Sequence, residues 1–292
     1  MEWNIDKYVE FSQMQFHIGE LAIQKLNPKQ GESILDLGCG IGNLTAKIAK
    51  RIDPGRIIGI DPDKNMIEAA EERIENFKIP NMQVQQISGT KMNYDRRFDG
   101  VFSNIVIHWI KDQHRLFSNL NKSLKENGRM LIATIYTDPD VTIEASVKED
   151  APVKISHIEM QIMQDFVRKQ MFSGILSMEE FMKYQPNVNK EIVYRTYEVP
   201  EIRDIISKAG FKDISIETEQ FHNTFDDANK YLDYRSSNLW IYFLAYFPEK
   251  HRTAIAKRLK ELILKRWKNV PDEKKVLPFE ENWPVAFIQA KK

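Results

Sequence analysis

Apolar residues in this chain fall into short runs separated by longer amphipathic stretches. Ile34-Leu35-Asp36-Leu37 and Ile57-Ile58-Gly59-Ile60 are nearly continuous apolar runs, the pattern of strands covered on both faces. Met82 to Ile87, Phe98 to Asn104 and Gly128 to Thr134 read as three more strands, with a helix from about Gln113 to Lys125 ahead of the last. Strand and helix therefore alternate from about Ser33 to Tyr136, the cadence of a doubly wound sheet. After Thr137-Asp138-Pro139-Asp140 the pattern changes to a long, mostly helical stretch rich in methionine and aromatics, running to about Asn189. A helix from Val199 to Lys208, stopped by Gly210, then precedes a sixth strand from Phe211 to Gln220. A second helical stretch, about Asp226 to Lys268, separates it from a last strand, Pro284 to Ala290. Periodicity alone gives a mixed α/β chain with helical insertions and no internal repeat.

Composition removes several classes of function. With 292 residues, 42% of them hydrophobic, the chain has ample material for a core. Its 42 basic residues equal its 42 acidic ones, so nothing suggests a nucleic-acid footprint. Cys39 is the only cysteine, which excludes an intramolecular disulfide and a zinc cluster of the cysteine type. The six histidines show no metal-ligand spacing, so no metal is expected. Met1-Glu2-Trp3-Asn4-Ile5-Asp6 lacks the basic-then-apolar pattern of a signal peptide, and no run approaches the roughly 18 apolar residues of a membrane span. A reducing cytoplasm is the expected compartment.

Candidate chemistry begins where the first strand ends. Asp36-Leu37-Gly38-Cys39-Gly40-Ile41-Gly42-Asn43 is a glycine-rich turn that opens a helix, where glycine lets a ligand approach the main chain. A dinucleotide fingerprint would need Gly or Ala at position 43, and the chain has Asn43, which argues against a nicotinamide-dependent oxidoreductase. About eighteen residues beyond the loop, a second strand ends at Asp61-Pro62, with Met66 on the helix that follows. A carboxylate at that tip can accept both hydroxyls of a ribose, although Asp61-Pro62-Asp63 is also a helix-start signal.

The D-x-G-x-G-x-G loop and the acid after the second strand, in this order, resemble the first motifs of class I S-adenosylmethionine-dependent methyltransferases. The resemblance implies an α/β fold: a seven-stranded, doubly wound, Rossmann-like sheet whose final strand returns antiparallel, with helical lid insertions. It implies one domain over 1–292, its cofactor-binding core at about 30–136, 199–220 and 284–291 and its insertions at about 137–197 and 221–281. The implied cofactor is S-adenosylmethionine, leaving as S-adenosylhomocysteine. Asp36, Gly38, Gly40 and Asn43 fall to its methionine and ribose end, Asp61 to the ribose hydroxyls, and Pro62, Met66 and Ser88 to the adenine surroundings, with Tyr8, Cys39 and Gly89 as further cofactor-binding residues. Asn104, at the tip of the fourth strand, falls beside the reacting methyl, and Ser103 before it is a further cofactor-binding residue. Ser88 stands where the family carries an aspartate for the adenine amino group, and a hydroxyl is a weaker acceptor.

Two segments sharpen the resemblance. Trp3-Asn4-Ile5-Asp6-Lys7-Tyr8, with Phe11 and Gln15, and the run from Val101 to Gln113 are similar to trans-aconitate methyltransferases and juvenile hormone acid methyltransferases. That group methylates a carboxylate on a small molecule, and the resemblance assigns Gln15 and Trp109 to holding it. A carboxylic acid with a pKa of roughly 4 is ionised at neutral pH and needs no base, only neutral donors that orient it. Read alone, Gln15 could equally face solvent and Trp109 could be a packed aromatic. His108, with His17 as a second candidate, would be the base if the acceptor were an amine, a phenol or a carbon acid; packing is the competing role. Met160, Met163, Phe166, Val167, Met171 and Phe172, and the run Trp240, Tyr242, Phe243, Tyr246 and Phe247, are ordinary core or an adaptable wall for an oily substrate. The basic helix around Lys257, Arg258, Lys260, Lys265, Arg266 and Lys268 reads as a solvated face rather than a membrane anchor. The expected partner is a small-molecule acceptor, with no nucleic acid and no membrane. A protein that binds the cofactor without catalysis stays open.

Overall fold

The computed structural model describes residues 13–137, 154–184, 195–238 and 240–292. Tyr8, the N-terminal segment through Phe11 and the Tyr242 side chain lie outside the described residues. The elements run α1 (Gln13–Leu26), β1 (Ser33–Leu37), α2 (Asn43–Ile52), β2 (Arg56–Asp61), α3 (Lys64–Phe77), β3 (Met82–Gln86) and β4 (Phe98–Asn104). A short turn of helix at Ile107–Trp109 leads into α4 (Gln113–Ser123) and β5 (Leu124–Ile135). Then follow α5 (Ile155–Arg168), α6 (Met178–Tyr184), α7 (Val199–Lys208), β6 (Lys212–Phe225), α8 (Ala228–Asn238), α9 (Trp240–Leu244), α10 (Glu249–Lys268) and β7 (Phe279–Lys291).

The strands form one seven-stranded sheet in the order β3-β2-β1-β4-β5-β7-β6. The first five are parallel and β7 returns antiparallel to β5, with Ile132 opposite Ile288, as the resemblance implied. Alternation of side chains puts Leu35, Leu37, Ile58, Ile60, Val101, Met130 and Ile132 in one core with Phe117, Leu120, Ile202 and Ile206 of α4 and α7. On α2 the buried positions Thr45, Ile48, Ala49 and Ile52 recur at helical spacing. Asp63 caps α3, accepting from Asn65 N at 2.9 Å and Met66 N at 3.2 Å.

Three boundaries differ from the sequence reading. The helix expected to reach Lys125 ends at Ser123, because Leu124 pairs with Phe98 and starts β5 ahead of a register shift between Phe98 and Gly100. β6 and β7 are longer than their apolar runs, since β6 is mostly exposed and carries little hydrophobic signal. The stretch from Asp226 to Lys268 is three helices, α8, α9 and α10, and Pro248 starts the last of them.

The chain divides into two compact units. The first comprises residues 1–139, 193–221 and 283–292 and holds β1 to β5. Within it, Thr137 N donates to Tyr197 O at 3.0 Å, so the chain leaves and re-enters at neighbouring points. The second comprises residues 140–192 and 222–282 and has a core of its own. Phe166, Phe172, Phe181 and Phe247 pack edge-on and tilted at its centre, with Ile255, Leu259 and Ile263 from α10. Much of both aromatic stripes is thus ordinary core, while Met160 and Tyr246 are exposed. A buried polar cluster crosses this unit: Arg235 donates from Nε and Nη2 to Glu159 and from Nη1 to Glu281 at 2.7 Å, and the Trp240 indole donates to Glu159 at 2.6 Å.

Candidate active site

Strand order reverses direction of growth between β1 and β4, and in doubly wound sheets the crevice beyond the carboxyl ends of such strands is where ligands sit. The glycine loop leaves β1 at that point. Gly38, Gly40 and Gly42 have φ of 74°, 51° and 77°, a region costly to residues with a Cβ. At Gly38 a Cβ would lie 2.3 Å from Val106 Cγ2, so the backbone after β1 approaches the segment after β4 closely. The loop hangs on β2, with Gly38 N and Cys39 N donating to Ile60 O at 2.7 and 3.1 Å.

Asp61 organises this crevice. Its Oδ2 accepts from Gly40 N at 3.1 Å and its Oδ1 from Asp63 N at 2.9 Å, so one carboxylate joins the loop, β2 and the start of α3. Burial pushes its pKa above the ordinary carboxylate value, and these backbone N–H groups pull it back. The helix-start role and the ribose role are therefore compatible, because each oxygen has a further lone pair.

Other predicted residues serve inside the fold. Asp36 is 2% exposed, and its Oδ2 accepts from Thr45 Oγ1 at 2.6 Å, tying β1 to α2. Burial raises its pKa to about 7, with the Asp61 charge adding to the rise and the Thr45 hydroxyl opposing it. Ser103 is buried and donates to Leu37 O at 2.9 Å, across the β1–β4 pair. Cys39 is buried beside Gly59, where burial lifts its thiol pKa and removes thiolate chemistry. Asn43 and Pro62 begin and precede helices at the same crevice, and Met66 is buried on α3. Ser88 Oγ lies 3.2 Å from Thr90 Oγ1, and Gly89 packs where a Cβ would strike Leu37 and Leu116.

At the tip of β4 the structure joins two residues far apart in sequence. Asn104 Nδ2 donates to the backbone oxygen of Gln15 at 2.8 Å and fixes the orientation of its own amide. Asn104 Oδ1 and Gln15 Oε1 are then buried acceptors with no hydrogen-bond partner, the kind of orphan that a ligand with N–H or O–H groups satisfies. Ile105, next along, has φ of 58°, a strained conformation for a β-branched residue, held by Ile105 N donating to Ala133 O at 2.8 Å. The glycine cradle and the acceptor set fit a ligand that carries a ribose and an ammonium group.

Trp109 is half-buried in the turn after β4, its ring 5.5 Å from that of His108. His108 is 2% exposed, with Nδ1 3.3 Å from Thr134 Oγ1, and burial depresses its pKa to about 3. It is neutral at physiological pH and a weak proton acceptor. His17 is exposed on α1, 6.0 Å from the Phe221 ring. Sequence reasoning missed Thr45, Gly19 and Gln113. Gly19 lets α1 pack where a Cβ would meet Leu44 and Asn104 Nδ2, and no local pattern announces that contact. Among the described residues no group of His, Cys, Asp and Glu is placed to hold a metal, and no helix is long and apolar enough to cross a membrane.

Comparison with protein families matches residues 28–229 to a methyltransferase domain. The chain belongs to this family. Its methyltransferase domain is similar to the trans-aconitate 2-methyltransferase of Deinococcus radiodurans, 28% identical over 45% of this chain and 49% of that protein. It is also similar to the juvenile hormone acid O-methyltransferase of Bombyx mori, 25% identical over 68% of this chain and 63% of that protein. Both likenesses are those that the motifs implied. The chain spans about half the length of the first curated relatives it matches. Among solved structures, a phosphoethanolamine N-methyltransferase of Haemonchus contortus, in complex with S-adenosylhomocysteine, superposes with a TM-score of 0.53 at 19% identity, over 95% of this chain and 52% of that one, which supports the fold.

Proposed function

We propose that the chain is an S-adenosylmethionine-dependent methyltransferase for a small molecule, most consistent with O-methylation of a carboxylic acid. The observation that carries the reading is the pairing of the glycine loop with the buried, partnerless Asn104 Oδ1 at the β4 tip. S-adenosylmethionine, when bound, supplies an electrophilic methyl group on a positively charged sulfur leaving group. The Asp61 carboxylate would accept the ribose hydroxyls, and Asn104 Oδ1 the methionine ammonium. Gln15 and Trp109 would orient the acceptor acid through neutral N–H donors, which align a carboxylate without quenching its charge. A base is not needed for an acid ionised at neutral pH, and the depressed basicity of His108 suits that chemistry. The related carboxyl methyltransferases of small acids support the same choice. The proposed acceptor is apolar or amphipathic, the setting a cytoplasm, and the partners neither nucleic acid nor membrane.

N-methylation is the second reading, and one observation favours it. Gln15 presents an oxygen, which would accept from an amine, and the relatives include a phosphoethanolamine N-methyltransferase of Arabidopsis thaliana, 34% identical over 40% of this chain and 24% of that protein. A rotation of the last torsion exchanges oxygen and nitrogen, so the same residue serves either acceptor. Thermal unfolding with S-adenosylmethionine, S-adenosylhomocysteine and NAD tests the cofactor, since ligands of the folded state raise the midpoint. The scan is then repeated on the S-adenosylhomocysteine complex with fatty, terpenoid and tricarboxylic acids and with phosphorylated amines. A further rise with one acid class supports the carboxylate reading; a rise with amines alone replaces it; a rise with NAD alone removes both.

A further inference from the structure

The turn that carries His108 and Trp109 is pinned by a residue outside the proposed site. Trp109 N donates to Val106 O at 2.9 Å and Ile110 N to Ile107 O at 3.0 Å, and Arg195 N holds His108 O at 2.9 Å from another part of the first unit. Gln113, on the first turn of α4, is 3% exposed. Its Nε2 donates to Ile107 O at 2.6 Å and to Ile110 O at 2.7 Å, so one amide group clamps both ends of the four-residue arc 107–110. Burying an amide costs free energy that an apolar side chain avoids, and the neighbouring core positions of α4 are Leu116, Phe117 and Leu120. Space-filling alone would be served by leucine. The amide is explained by the two carbonyls it fixes, and it also lies within side-chain hydrogen-bond reach of Tyr197.

We propose that Gln113 is a positioning residue that sets the Trp109 indole by locking the 107–110 turn. This deepens the reading of Trp109 as a holder of the acceptor and rests on it. Fixed geometry matters because a reacting group displaced by about 1 Å loses on the order of 10²-fold in rate.

The test uses the full chain with Gln113→Met, alone and combined with Trp109→Phe. The emission difference between proteins with and without Trp109 reports that indole whether or not an acceptor is known. Gln113→Met shifts this difference spectrum to the red and makes it more open to acrylamide quenching, while S-adenosylhomocysteine affinity by calorimetry is unchanged. With the acid that the wild type methylates, kcat falls on the order of 10²-fold. In the Trp109→Phe background the same substitution has little further effect on kcat. An unchanged difference spectrum overturns the proposal, as does an equal loss of kcat in both backgrounds, which would mean that Gln113 acts on the fold as a whole. If the wild type methylates no carboxylic acid, the carboxylate reading fails by itself, and the spectrum still decides the role of Gln113. Should Gln113→Met not fold, Gln113→Glu keeps the length, lacks the N–H donors and carries the same measurements.

Discussion

Asp36 makes stability depend on pH in a direction opposite to that of most carboxylates. Its pKa in the folded chain is about 7 against an ordinary 3.8, chiefly because burial penalises the charged form. A folded-state pKa above the unfolded one means that the native state binds the proton more tightly. The resulting stabilisation is complete below about pH 4 and is lost as pH rises through about 7. A span of roughly three units at about 1.4 kcal/mol each gives about 4 kcal/mol. Asp36→Asn retains an oxygen to accept the Thr45 hydroxyl, keeps the shape and does not ionise. Urea unfolding of the ligand-free proteins in steps from pH 4 to pH 8 is the assay. The two should be of similar stability at pH 4, and the asparagine variant should lead by up to about 4 kcal/mol at pH 8. A lead that does not change with pH, or a wild type that gains on the variant as pH rises, refutes the reasoning, because Asp36 would then be ionised in the fold and held by a charge partner.

Three further outcomes are expected. Asp61→Ala weakens S-adenosylhomocysteine binding by at least about tenfold in calorimetry, since it removes a bidentate acceptor and loosens the Gly40 N–H that it holds; unchanged affinity takes Asp61 out of the ligand site. Trp109→Phe keeps an aromatic ring and removes the N–H, so turnover falls while cofactor affinity holds, and an unaltered kcat reduces Trp109 to packing. Arg235→Met strands Glu159 and Glu281, each largely buried, and should cost about 3–5 kcal/mol in denaturant unfolding, most of it recovered when both glutamates are also replaced by glutamine; a cost below about 1 kcal/mol would mean that the cluster is solvated.

The parts of the fold that the sequence announced are those whose signal is local. β2 is apolar on both faces, and the glycines of 38–42 sit where positive φ demands them. β6 was half hidden, since its residues are largely exposed and its place is set by pairing at the edge of the sheet. The end of α4 was misplaced because Leu124 fits an amphipathic helix as well as a strand, and only its partner Phe98 decides between them. In the site, the loop and Asp61 were legible for the same local reason. Thr45, Gly19 and Gln113 were not, since each acts through a contact with a residue that chain order does not foretell.

The hydrogen bond between Thr137 and Tyr197 has a consequence for how such chains diversify. The chain leaves the first unit and rejoins it at these two neighbouring points, so their spacing in the first unit does not depend on how much chain lies between them. Lengthening a closed detour costs little, about 0.6 kcal/mol for each doubling. A replacement grafted between the same two anchor residues leaves β1 to β5 and the glycine loop as they are, but it must also supply a new partner for α10, whose Ile255, Leu259 and Ile263 share a core with Ile155, Ile158 and Ile162 of α5. Divergence in such a chain is therefore expected to come in matched pairs, with the segment after Thr137 and the helices after β6 changing together while the first unit is kept.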